Sequence, residues 1–299
     1  MPQATGISAN SLPAQRVDDS CRQIGAWQLM RLIGEGQFSR VYAARPASHP
    51  AERPAGYALK LLADQWSGEP AAIELIRREA IVGKKVSDPH LISVLSAHVG
   101  APPYFLVMPL LEGTTLERRL AGGERPGVAV AVWIARQTAH ALQALHLAGW
   151  MHTDVKPSNI FLSEEGHVTL LDLGFARRPA DSTSLVHQCL TGTMQYIAPE
   201  MITSTFRPDI RSDIYSLGAT LYETLGGRPP FVAHSLEQLA DKQRQGEPPP
   251  IRLLAPRVPV KLARFVHQML AKEPLRRPQT PQELINRLVE FEIELFDMR

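Results

Sequence analysis

From Trp27 to Leu32 apolar side chains alternate with polar ones, a period of two that predicts a half-buried strand. The strand enters a turn, Gly34-Glu-Gly36-Gln-Phe38-Ser, and a second strand leaves it through Val41-Tyr-Ala-Ala44. Arg45 to Ala55 holds three prolines and no apolar pattern, which predicts an exposed loop. Gly56 to Leu62 is a third strand with Lys60 set inside an apolar run. Ala71 to Val86 turns to helical spacing, with Ile73, Ile76, Ala80 and Val82 on one side. Leu91 to Ala97 and Tyr104 to Leu110 are strand-like and complete a five-stranded antiparallel unit.

Beyond residue 110 the pattern becomes mainly helical. Thr115 to Leu120 is a short helix; Val128 to Ala148 carries Val132, Ala135, Ala139, Leu142 and Leu145 at the spacing of a long buried helix, with His146 as an interior histidine. Residues 150 to 174 form a loop and a short hairpin turning at Glu165-Gly166. Pro208 to Gly227 is strongly apolar and stops on glycines, as a helix central to a large lobe would. Gln243 to Pro250 is expected to be mobile, and helices are expected near 259–271 and 280–294. Met1 to about Gln23, rich in Ala, Ser, Pro and Gln without a period, predicts a flexible arm.

A chain of 299 residues can bury a sizeable core as one large domain or two small ones. Its 32 basic and 30 acidic residues leave a net charge of +2, which gives no electrostatic case for nucleic acid. No apolar run reaches the roughly 18 residues needed to span a bilayer, so no direct membrane insertion and a cytoplasmic location are expected. Cys21 and Cys189 are the only cysteines, and each is expected to be a plain thiol.

The chemistry concentrates at 150–174. Asp154, Lys156 and Asn159 sit among apolar residues, and the next apolar run delivers Asp172 just before Gly174. Two carboxylates, an ammonium and an amide around one cavity suit phosphoryl transfer from a nucleotide. Asp154 would orient the acceptor hydroxyl and take its proton, Lys156 would face the γ-phosphate, and Asn159 with Asp172 would hold magnesium. Glycines at 34 and 36 allow backbone amides to approach phosphate, with Phe38 at the tip as a shield from water. The turn joins two strands and lacks a Gly-Lys-Ser/Thr ending, so neither a P-loop nor a dinucleotide fingerprint fits. Glu79 lies beside the inward set of its helix and needs a partner; Lys60 is the obvious one, with Glu74 a competing assignment to Glu79.

His152-Thr-Asp154-Val-Lys156-Pro-Ser-Asn159 and Asp172-Leu-Gly174 resemble the catalytic loop and metal-binding segment of the eukaryotic-like protein kinases, and the likeness extends from about Trp27 to Phe291. It implies an α+β, bilobal fold: an arm over 1–24, a small lobe over 25–109 with a five-stranded antiparallel sheet and one helix, and a larger, mainly helical lobe over 110–299. It implies ATP with Mg2+, for which Mn2+ can substitute, and a Lys60–Glu79 pair with Lys60 on the α- and β-phosphates. It counts Ile33 among the nucleotide-binding residues and, around adenine, places Val41 and Ala58 above, Phe161 below, Met108 at the back, and Pro109 and Leu111 at the connection between the lobes; Pro109 lacks an N–H, so Leu111 is the better source of both backbone bonds. His152 becomes an anchor of the catalytic loop, and Asp213 a buried acceptor of that loop's amides.

Residues 172 to 200 resemble an activation segment, hydroxyl-rich at Ser182, Thr183, Ser184, Thr191 and Thr193 and closed by Ala198-Pro-Glu200, with Glu200 paired to Arg277. Thr193 would lie near Asp154 and Lys156, and Arg177 and Arg178 can receive a phosphate there. Two departures stand out. Thr153 replaces the arginine that many members carry before the catalytic aspartate, and Leu173 replaces phenylalanine after Asp172. Lys156, two residues after Asp154, follows the serine/threonine pattern, so protein serines and threonines are the implied acceptors, with self-association for autophosphorylation. The short pattern resembles the bacterial branch, whose kinase domains often belong to longer, membrane-anchored chains. A pseudokinase scaffold is the non-enzymatic alternative, and small-molecule phosphotransferases are a second; the first needs a missing catalytic group, and the second generally lacks the Ala-Pro-Glu ending.

Overall fold

The computed structural model describes residues 23–50, 52–179, 193–202, 207–233 and 235–297. Residues 1–22, Cys21 among them, lie outside that set, as do Ser182, Thr183, Ser184, Cys189 and Thr191 and the side chain of Thr193.

The chain opens into a six-stranded sheet of β1 (Gln23–Ile24), β2 (Trp27–Glu35), β3 (Ser39–Pro46), β4 (Tyr57–Leu62), β5 (Ser96–His98) and β6 (Phe105–Pro109), in the order β1-β2-β3-β4-β6-β5 and antiparallel throughout. The extra strand is β1, which begins inside the stretch expected to be an arm. Gly25, at φ +55°, turns Ile24 back onto Trp27 and buries it beside Leu29. Along β4 the pleat sends Leu59 and Leu61 to an outer cluster with Leu29, Tyr42 and Val107. Ala58, Lys60 and Leu62 therefore point the other way, toward the inter-lobe cleft and the helix α1 (Pro70–Lys85).

A strand was expected over Leu91 to Ala97, but β5 keeps only its end. The Ile92 N–H donates to the Leu170 carbonyl and the Val94 N–H to the Gly83 carbonyl, so residues 91–94 spend their backbone on the large lobe and on α1 instead of on β6. Gly83 is what lets α1 come this close: a Cβ there would lie 2.5 Å from Val94 Cγ2.

The large lobe begins with β7 (Thr114–Thr115), which pairs with β8 (Ile160–Leu162) and, through it, β9 (Val168–Leu170). A Cβ on Gly113 would sit 2.1 Å from the Leu162 carbonyl oxygen, so only glycine permits this junction. The Thr115 hydroxyl accepts from the Arg118 N–H and caps α2 (Leu116–Ala121). Two helices form the interior: α3 (Val128–Leu147) and α5 (Ile210–Gly226), the latter preceded by the short α4 (Pro199–Ile202) and stopped by left-handed Gly227. Nearly every side chain of α5 is buried, as its strongly apolar composition predicts, and its hydroxyls at Ser216, Thr220 and Thr224 donate to carbonyls one turn back. Helices α6 (Leu236–Gln245), α7 (Ile251–Leu254), α8 (Val260–Met269) and α9 (Pro281–Asp297) enclose it.

Two local expectations fail. His146 is exposed, because it sits one residue round the helix from buried Leu145. Gln243, expected to begin a mobile stretch, is fully buried at the end of α6, where it donates to the carbonyls of Met194 and Gln195 and accepts from the Tyr215 hydroxyl. Among the described residues no helix is long and apolar enough to cross a membrane.

Candidate active site

The loop after α3 is held from below. Asp213, in the first turn of α5, accepts the N–H groups of His152 and Thr153, both at 2.7 Å. Those bonds let Thr153 persist at φ +65°, a left-handed conformation that costs a β-branched residue energy. Buried His152 fixes the next step, its Nε2 2.9 Å from the Leu171 carbonyl and its Nδ1 accepting the Asp154 N–H. The Thr153 hydroxyl donates to the Phe175 carbonyl at 2.7 Å, tying this loop to the segment after Asp172.

The loop thereby presents Asp154, only 2% exposed, to the cleft. Its Oδ2 accepts from Asn159 Nδ2 at 2.8 Å and from Lys156 Nζ at 2.9 Å, whereas its buried Oδ1 meets no donor among the described residues. Burial pushes the carboxyl up to about 6 despite the opposing Lys156 ammonium. An acceptor oxygen without a donor, on a carboxylate poised close to neutrality, is suited to take a proton from a ligand.

Across the cleft Lys60 Nζ lies 2.6 Å from Glu79 Oε2 and 3.0 Å from Asp172 Oδ1. Glu79 is therefore the residue of α1 that meets Lys60; Glu74 instead pairs with Arg78. Burial works against the Lys60 charge, but Asp172 and Glu79 together outweigh it and hold the ammonium protonated. Glu79 itself is raised by burial, against the pull of Lys60. Enclosure would also raise Asp172, yet the adjacent Lys60 keeps it ionised, at about 2. Asp172 has φ +61°, and Leu173, which stands where the resembled family carries phenylalanine, is fully buried in the apolar core.

These groups line one cavity of about 750 Å³ between the lobes. The structure brings every site residue expected from the sequence to its wall: Ile33, Gly34, Gly36, Phe38 and Val41 from the glycine turn, Ala58 and Lys60 from β4, Glu79 from α1, Met108, Pro109 and Leu111 from the connection, and Asp154, Lys156, Asn159, Phe161 and Asp172 from below. Leu110 donates its N–H to the Gly56 carbonyl at 3.4 Å. Sequence reasoning overlooked Leu75, Ile92 and Arg118, which share the wall. Arg118 crosses the cleft to the Ile33 carbonyl at 3.4 Å; its place on a short polar helix carried no signal of that reach.

Asn159 spends both its N–H groups on Asp154, one on the backbone carbonyl and one on the carboxylate. Its carbonyl oxygen and the ionised Asp172 can therefore both serve a hard cation, oxygen donors that fit magnesium. Among the described residues no group of three or more His, Cys, Asp or Glu can hold a metal unaided, so water or ligand oxygens would have to complete its shell.

The ends of the expected activation segment are also fixed. Arg177 pairs through its backbone with Met151 and points its buried guanidinium at Met201 Sδ, while Arg178 lies over the Trp150 ring. Glu200 receives both terminal nitrogens of Arg277, at 2.6 and 2.8 Å, with both side chains essentially buried.

The family model for the protein kinase domain matches residues 27–288. The chain is 32% identical over 263 residues to a probable serine/threonine-protein kinase of Clostridium perfringens, covering 88% of this chain and 38% of that protein. It is 34% identical over 258 residues to the serine/threonine-protein kinase PknD of Mycobacterium tuberculosis, covering 85% and 38%. With PrkC of Bacillus subtilis it shares 28% over 260 residues, covering 87% and 39%. The chain thus spans about two fifths of the length of these relatives. A bilobal fold with buried Asp154 facing Lys60, Glu79 and Asp172, joined to these similarities, places the chain in the protein kinase domain family, among the bacterial relatives of the eukaryotic-like serine/threonine kinases.

Proposed function

We propose that this chain transfers the γ-phosphoryl group of ATP to serine and threonine hydroxyls of proteins, with magnesium. The observation that carries this reading is Asp154, whose Oδ2 is held by Asn159 and Lys156 and whose buried Oδ1 meets no donor among the described residues. An acceptor hydroxyl placed against Oδ1 gives up its proton as its oxygen attacks the γ-phosphorus. The bond from that phosphorus to the β–γ bridging oxygen breaks, and ADP carries away the electron pair. Lys156, 2.9 Å from Asp154, offsets charge on the moving phosphoryl group. Lys60, held by Glu79, orients the α- and β-phosphates. Asn159 and Asp172 would hold magnesium, which would supply neutralisation of phosphate charge when bound. Adenine would lie between Val41 and Ala58 above and Phe161 below, with Leu111 supplying the backbone bonds.

The engaged Lys60–Glu79 pair supports an enzyme over a non-catalytic scaffold, since the phosphate-orienting group is already in place. The Ala198-Pro-Glu200 ending, which small-molecule phosphotransferases generally lack, supports protein acceptors over a small-molecule site. Incubation with ATP and magnesium, with and without an added protein acceptor, should give phosphoserine or phosphothreonine on mapping by mass spectrometry. Label found only on a small molecule, or no transfer by a protein that binds nucleotide, would refute this assignment.

A further inference from the structure

Trp66 ends a 3-10 turn, Asp64–Trp66, that joins β4 to α1, and nothing in the proposed transfer uses it. Its ring meets that of Phe38 edge-on, with centroids 5.1 Å apart and planes at 71°. Its indole N–H donates to the Gln37 carbonyl at 2.9 Å. Beside it, the Ala63 N–H donates to the Phe38 carbonyl at 2.9 Å. Three contacts thus converge on the tip of the glycine turn.

The same segment leads directly into the helix that carries Glu79. The Trp66 carbonyl accepts the Glu69 N–H at 3.0 Å, and the Glu69 carbonyl accepts the Ile73 N–H at 3.1 Å, in the first turn of α1. Glu35 pairs with Arg40 across the base of the turn at 2.9 Å, but both side chains are exposed, where an ion pair contributes little. Gly34 and Gly36 widen the turn's backbone freedom, Glu35, Gly36 and Gln37 are exposed, and a hydrogen bond from Gly36 N–H to the Ser39 carbonyl spans it. An indole suits the position, because it offers an apolar face to Phe38 and a donor to a carbonyl from one rigid group.

We infer that Trp66 is a positioning residue that clamps the tip of the phosphate-covering turn to the entrance of α1, so that closure of the turn and placement of Glu79 move as one unit. The inference rests on the proposed nucleotide site only for what the turn covers; the clamp belongs to the free protein. It is absent from the sequence signal, since Trp66 lies in a polar connection 28 residues from Phe38 by their numbering, and only the fold brings the rings together.

The test is hydrogen exchange on the ligand-free protein, read over residues 34–39 and 70–75, for Trp66→Leu, Trp66→Phe and Phe38→Leu. Protection of α5 serves as the check that each variant is folded. Trp66→Leu and Phe38→Leu should each raise exchange in the turn at least fivefold and also loosen the first turn of α1, with Trp66→Phe in between. Exchange within twofold of the parent in both leucine variants would overturn the clamp. In a second arm, ATP–Mg dissociation measured by stopped flow should be at least fivefold faster for Trp66→Leu than for the parent. A parent that binds no nucleotide would refute the proposed function, and the exchange arm would still decide the clamp; unchanged dissociation with unchanged exchange would refute the clamp alone.

Discussion

Replacing Asp154 by asparagine separates chemistry from folding. Asp154 Oδ2 already accepts from Asn159 and Lys156, so the new amide must turn its oxygen toward those donors and its NH2 toward the cleft. The acceptor hydroxyl then meets a donor where the carboxylate offered a lone pair. A positioned base typically contributes 10² to 10⁴ in rate, so transfer should fall at least about 100-fold, equivalent to roughly 2.7 kcal/mol of barrier. Nucleotide binding should stay near the parent value, because Asp172, Lys60 and the glycine turn are untouched. Single-turnover transfer at saturating ATP is the assay, repeated across pH. Burial raises Asp154 to about 6, and the ionised form is the base, so the parent's rate should fall as pH drops through 6. The variant should lack this acid limb. A variant within threefold of the parent would remove Asp154 from the role of base.

Asp172→Ala should weaken ATP affinity in magnesium at least about tenfold, or roughly 1.4 kcal/mol, and abolish the difference between titrations with and without the metal; equal affinity in all conditions would refute the metal site. Thr153 supplies no cation for an activation-segment phosphate and instead donates to the Phe175 carbonyl, so phosphatase-treated protein should keep at least about one third of its initial rate, a loss below roughly 0.7 kcal/mol. A lag, with a rise of more than tenfold as mass spectrometry detects phosphate on Ser182, Thr183, Ser184, Thr191 or Thr193, would refute that inference. Arg277→Met leaves Glu200 buried without its bidentate partner and should cost about 3–5 kcal/mol in urea unfolding; a loss under about 1 kcal/mol would show that the pair is not structural.

Much of this protein was legible without coordinates because its signals are local. Strand alternation in 27–32 and the apolar run around Lys60 in 56–62 marked β2 and β4, and the strongly apolar composition of α5, ended by glycines, marked it as interior. The order Asp154, Lys156, Asn159, Asp172 named the chemistry because those groups lie within one loop and hairpin. What failed depended on partners remote in sequence. Residues 91–94 were expected in a strand and instead gave their backbone to Leu170 and Gly83; Gln243 looked like part of a mobile stretch and is buried against Met194, Gln195 and Tyr215. Local pattern states what a segment can bury, but not which neighbour will satisfy its polar groups. Only the folded chain settled that Lys60 binds Glu79 and Asp172 together, that one oxygen of Asp154 meets no donor among the described residues, and that Trp66 reaches Phe38, because these depend on segments whose meeting is decided by packing of the whole core.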